Sequence, residues 1–141
     1  MLYTDFLKTV TTCPFCDMSK NRIILEDDSA SLTYSIAPYH KHHLMVVTKR
    51  HIEVFKDLNE VESKSVDTLL HKGVEMLIKL GYTDYTIVLR NGKAVGKSVP
   101  HLHYHIVPAV VIGDLDHAGQ ERSVMTEEEM DQISEDFDRV K

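Results

Sequence analysis

Cysteine is scarce in this chain, with two residues in 141, both in the stretch Cys13-Pro-Phe-Cys16. That is too few for the disulfide framework on which small secreted domains depend. No run of about 18 apolar residues occurs, so no segment is expected to span a bilayer. The opening MLYTDFLKTV lacks the apolar stretch and small-residue cleavage site of a secretory signal. Positive charge is also in deficit: 16 Lys plus Arg against 22 Asp plus Glu leave a formal net charge of -6. This argues against general binding to nucleic acids or anionic membranes, while leaving room for a local basic pocket. Repeats, low-complexity tracts and linkers rich in Pro, Gly or Ser are missing too, so residues 1–141 are expected to form one continuous domain. A cytoplasmic enzyme or binding protein is the expectation that survives these exclusions.

Histidine is what the chain has in excess. There are nine, and two clusters stand out, one at His40, His42 and His43 and the other at His101, His103 and His105. Apolar content of 43% is enough for a core around them.

Short alternating or apolar runs at Arg22 to Glu26, Ser31 to Ala37 and Leu44 to Thr48 read as three strands of an antiparallel meander. From about Asp57 to Leu80 the period lengthens. Val66, Leu69, Leu70, Val74 and Leu77 recur at three- and four-residue steps, and Gly81 follows where a C-terminal cap belongs, which predicts one long helix. Tyr85 to Arg90 and His101 to Val107 read as two more strands. Thr126 with Glu129 resembles a capping box opening an acidic helix, with Met130, Ile133 and Phe137 on one face. The expected fold class is α+β, with about five antiparallel strands, one long helix covering a sheet face, and a C-terminal helix.

The chemistry concentrates in three stretches. In HLHYHIVP a strand's period of two puts His101, His103 and His105 on one face, where they suit either a three-histidine metal site or an imidazole nucleophile with supporting neighbours. In CPFC a two-residue gap lets both thiolates reach one tetrahedral zinc. Two further ligands are then needed, from His51, His101 or the His40–His43 cluster. A redox pair is disfavoured, because no strand precedes Cys13. The stretch GKAVGKS resembles a triphosphate-binding loop but is one residue short, with Asn91 where a glycine belongs, and the extended HLHYH that follows cannot open a helix. It still offers Lys97, Ser98 and a glycine-rich turn to an anionic oxygen.

Together, His101-Leu-His-Tyr-His-Ile-Val107, the preceding Gly96, Ser98 and Val99, the Lys49-Arg-His51 segment, His43 and the N-terminal CxxC resemble the histidine triad (HIT) superfamily, over about Cys13 to Pro108. The resemblance implies a HIT-like fold, a homodimer, and a nucleotide hydrolase or nucleotidyl transferase. In such an enzyme His103 attacks the α-phosphorus, the His101 carbonyl fixes its tautomer, His105 and Ser98 bind phosphoryl oxygens, and His43 supports them. The branch with CxxC carries structural zinc, which would place the ligands at Cys13, Cys16, His51 and His101.

The resemblance also implies that Asn91 and Gly96 belong to the nucleotide-binding loop. Lys97 replaces a family glutamine near the leaving group, where a lysine can stabilise extra negative charge. Ser35 replaces the acid or amide that binds the ribose hydroxyls. From a different class, the alternative is a zinc-containing nucleotide-binding or interaction module with little turnover. His71, His117, and the loop residues His40 and His42 are read as solvated, the last two also as a possible rim of the site. The acidic C-terminal helix is read as a solvated face with an apolar stripe.

Overall fold

The alternating runs form a single five-stranded sheet in a computed structural model that describes residues 1–112 and 122–141. Its strands are β1 (Ile23–Glu26), β2 (Ala30–Tyr34), β3 (Leu44–Thr48), β4 (Tyr85–Leu89) and β5 (His103–Pro108). Every neighbouring pair is antiparallel, in the order β1-β2-β3-β5-β4. The first three make the expected meander. Asp27 turns β1 into β2, its Oδ1 accepting from the amides of Ser29 at 2.8 Å and Ala30 at 2.9 Å. Strand β5 then inserts between β3 and β4, so the histidine strand is hydrogen-bonded along both edges.

Alternation sorts the side chains by face. Leu32, Leu44, Val46, Tyr104 and Ile106 join the main core under α2 (Glu60–Lys79). Gly73 permits a close approach there, since a Cβ at that position would lie 2.7 Å from Ile106 Cδ1. The helix starts at Glu60 rather than at Asp57 because Asn59 caps it. Asn59 Oδ1 accepts from the Glu62 amide, and the Glu62 carboxylate accepts from the Asn59 amide. It ends as expected: Gly81 has φ 103°, its amide bonds the Ile78 carbonyl, and the Tyr82 amide bonds Leu77.

Two further α-helices and three short 3-10 turns are present among the described residues. α3 (Glu127–Asp138) opens on the Thr126/Glu129 capping box and buries Ile133 and Phe137. α1 (Tyr3–Thr9) is short, and the sequence pattern did not suggest it. Strand limits also differ from expectation: β2 ends at Tyr34, ahead of Pro38, and β5 begins at His103, leaving His101 in the bend before it. His71 is an exposed α2 residue whose Nδ1–H donates to the Asp67 carbonyl at 2.9 Å. His117 lies outside the described residues.

Candidate active site

The sheet face opposite α2 carries His103 and His105, because β5 alternates and its even-numbered residues point into the core. Register places His105 against Met45 and His103 against Val47 on β3. Both imidazoles are buried and their rings stand 4.8 Å apart, edge to face. His103 Nδ1–H donates to the His101 carbonyl at 2.7 Å, so its lone pair is on Nε2. Burial pushes the His103 pKa down to about 4, against a smaller upward push from that hydrogen bond.

A chain of hydrogen bonds fixes the neighbouring tautomers. The Tyr39 amide donates to His43 Nδ1 at 3.2 Å, so the proton of the neutral His43 ring is on Nε2. His43 Nε2 lies 2.9 Å from His105 Nδ1 and donates to it, which leaves the His105 proton on Nε2. His43 is fully buried, and burial holds both of these rings far below the usual histidine range. His105 therefore presents an N–H beside the lone pair of His103.

A pocket opens over this pair. Ser35, Gly96, Lys97 and Ser98 line it together with His103 and His105. The Ser98 hydroxyl shares a 2.9 Å hydrogen bond with the Tyr3 hydroxyl of α1. The Lys97 ammonium donates to the Glu53 carbonyl, and its partial burial lowers its pKa. Gly96, at φ 91°, turns the loop just before them. Asn91 lies elsewhere: its Oδ1 accepts from the Phe55 amide at 2.8 Å, which anchors the segment before α2. Its neighbour Arg90 lines the pocket instead.

Next to His103, four potential metal ligands converge. Cys13 Sγ, Cys16 Sγ, His51 Nδ1 and His101 Nδ1 all lie within 4.8 Å of one another. Individual separations are 3.3 Å for Cys13 to His101, 3.1 Å for Cys16 to His51, and 3.2 Å between the two imidazole nitrogens. Two sulfurs and two nitrogens at such spacing fit the edges of a zinc tetrahedron. The tautomer fits as well: His101 Nε2–H donates to the Thr48 carbonyl at 2.6 Å, leaving Nδ1 unprotonated toward the cluster. Cys13 and Cys16 sit in an irregular turn rather than at the start of a helix, which is not the setting of a redox pair.

Several contributors carried no sequence signal. Phe15, between the cysteines, packs its ring against His103 at 4.9 Å and against His101 at 5.8 Å. Arg22 and Arg122 line the pocket from outside any recognisable motif. His42 corrects the reading of a solvated or rim histidine: it is buried away from the pocket, bonding Tyr82 at 2.6 Å and Asp136 at 2.8 Å. His40 is half-buried and packs on Tyr82.

Comparison with known proteins agrees with this geometry. A HIT domain family model matches residues 18–111. An uncharacterized HIT-like protein of Methanocaldococcus jannaschii is 35% identical over 100 residues, covering 68% of this chain and 78% of that one. The adenosine 5'-monophosphoramidase hnt1 of Schizosaccharomyces pombe is 29% identical over 101 residues, covering 69% and 74% respectively. Among solved structures, a zinc-bound histidine triad family protein from Mycobacterium smegmatis shares the fold, with a TM-score of 0.68 at 21% identity over 91% of this chain and 94% of that one.

Proposed function

Since the chain belongs to the HIT domain family, we propose that it is a nucleotide hydrolase or nucleotidyl transferase that attacks the α-phosphorus through His103. The observation that carries this reading is the 2.7 Å bond from His103 Nδ1–H to the His101 carbonyl, which dedicates Nε2 to bond formation. The Nε2 lone pair forms a bond to phosphorus while the bond to the leaving group breaks. That group departs with the electron pair and takes a proton from water. A water molecule then attacks the nucleotidyl-histidine and gives up a proton to the hydroxide left by the first step, the phosphorus–nitrogen bond breaks, and the electron pair returns to Nε2 as the nucleotide leaves. Another acceptor in place of water makes the second step a transfer.

His105 Nε2–H and the Ser98 hydroxyl are donors to the phosphoryl oxygens as charge develops, each worth about 3 kcal/mol in such a setting. His43 holds His105 in the donor tautomer. Lys97 faces the leaving-group side and Ser35 the ribose. Cys13, Cys16, His51 and His101 would hold a zinc ion, which with four protein ligands supplies structure rather than an open catalytic position. His101 then serves twice: its ring would bind the metal while its carbonyl orients the nucleophile. The exposed Tyr85 and Ile87 of edge strand β4 are where a second copy would pair in a homodimer.

The test is a quenched reaction with a nucleoside 5'-phosphoramidate, followed by intact-mass and peptide analysis. A nucleotidyl adduct on the peptide carrying His103 is expected. Persistence of adduct and turnover in His103→Ala would overturn the assignment.

A further inference from the structure

Helix α1 takes no part in the sheet or its core, and none of its residues is buried. Its start is nevertheless fastened beside the pocket. The Tyr3 amide donates to the Arg122 carbonyl at 2.7 Å, the Val124 amide donates to the Met1 carbonyl at 2.8 Å, and Leu2 bridges to Ser123. Tyr3 and Phe6, one turn apart with ring centroids separated by 6.3 Å, then line the same pocket as His103 and His105.

A hydroxyl pair links this helix to the loop that enters the histidine strand. Tyr3 Oη lies 2.9 Å from Ser98 Oγ, although the two residues are 95 positions apart. Two hydroxyls sharing one hydrogen bond divide the roles of donor and acceptor. A phenol is a stronger donor than an aliphatic alcohol. The Arg122 guanidinium stands over the Tyr3 ring, 4.6 Å from its centroid, and a cation on the ring face draws electron density from the phenol oxygen. Tyr3 therefore donates and Ser98 accepts. An alcohol whose oxygen already accepts a bond donates a stronger one in turn, because linked hydrogen bonds polarise one another. The reverse arrangement would spend the Ser98 proton on Tyr3 and leave none for a phosphoryl oxygen.

We propose that Tyr3 is a positioning residue for the reaction: its hydroxyl holds the Ser98 hydroxyl with the proton turned toward the phosphoryl group, without itself touching substrate. The inference rests on the nucleotide reading above and extends it to a residue outside 18–111, over which the family model matches.

Single-turnover kinetics with a nucleoside 5'-phosphoramidate decide it, using the wild type, Tyr3→Phe, Ser98→Ala and the double variant. Tyr3→Phe keeps the ring against Phe6 and Arg122 and removes only the oxygen. It should lower the maximal rate by about tenfold and leave the half-saturating concentration within about twofold. Ser98→Ala should lower the rate by about a hundredfold. Adding Tyr3→Phe to it should change the rate by less than about twofold, since the phenol then has no hydroxyl to orient.

A Tyr3→Phe rate within about twofold of the wild type overturns the proposal. So does a tenfold loss, of about the size given above, that persists in the Ser98→Ala background, which would make Tyr3 a direct contact of the substrate. A rise in half-saturating concentration alone overturns it too, because the hydroxyl pair would then only tether α1. Failure of the function gives a different result: absence of any adduct in the wild-type protein removes both readings, whereas wild-type turnover with an indifferent Tyr3→Phe removes this one alone.

Discussion

The two histidine clusters are alike in number and opposite in use. On β5 the spacing is two, and His103 and His105 share one face and one pocket. In the loop before β3 the spacing is one, and His42 and His43 diverge. His43 turns to His105, while His42 turns to Tyr82 and Asp136 at the start of a contact with α3. The difference shows that backbone geometry, rather than the density of a residue type, decides which imidazoles act together. It also predicts that variants around the loop cluster will separate catalysis from stability, because His42 and His43 serve different partners.

Removing the proposed nucleophile should have the largest effect. His103→Ala is expected to lower kcat/KM by on the order of 10³-fold or more, because the remaining donors can bind substrate but cannot form the phosphorus–nitrogen bond. Steady-state assay with a nucleoside phosphoramidate measures it. A loss below tenfold would move the nucleophile elsewhere.

Opening the metal corner comes next. In Cys13→Ala with Cys16→Ala, two of four ligands go, so zinc content should fall from about one per chain to near zero, and stability by about 4 kcal/mol. Since the His101 carbonyl orients His103, turnover should fall with it. Metal analysis beside chemical denaturation tests the link. Zinc retained in the double variant would exclude this ligand set.

A smaller effect is expected on the structural side of the comparison. Asp136 accepts from His42, Gln132 and Arg139 at 2.8, 3.0 and 2.7 Å, and an amide cannot accept from all three as a carboxylate does. Asp136→Asn should cost about 2 kcal/mol of stability and leave kcat/KM within about twofold. Equal loss of rate and stability would mean that His42 and His43 are not functionally separate.

Much of this arrangement was legible from the chain. Period two exposed the histidine strand, period 3.6 with Gly81 fixed the long helix, and the family resemblance singled out Cys13, Cys16, His51 and His101, which the fold brings together. What stayed hidden depends on contacts between distant segments. Nothing near Arg22 or Arg122 announces a pocket, because Arg22 reaches it from a single helical turn ahead of β1 and Arg122 from the segment before α3. His42 and Asp136 are 94 residues apart, and each looks solvated in its own neighbourhood. Asn91 and Arg90 show the limit of a motif read without coordinates, since one step along the chain at the end of β4 exchanges the pocket for the Phe55 amide.

The finest separation of adjacent His42 and His43 is by pH. His43 and His105 are held neutral in the folded protein, chiefly by burial, but take up protons near 6.5 when unfolded. With pKa values lowered on folding, the unfolded chain binds more protons as pH falls, so acid removes stability from about pH 6.5 downward. Each such proton contributes a slope of about 1.4 kcal/mol per pH unit. Asp136 works in a different window. Hydrogen bonds from His42 and Gln132 outweigh the opposing burial and lower its pKa, so its contribution is intact above the unfolded carboxylate value of 3.8 and disappears only as pH falls through its lower folded value. Denaturation midpoints measured from pH 8 to 5 should therefore fall less steeply in His43→Gln than in the wild type, while Asp136→Asn keeps the wild-type slope at lower stability. A slope between pH 6.5 and 5 as steep in His43→Gln as in the wild type would mean that His43 takes up no proton on unfolding, and the division drawn between the two neighbours would fail.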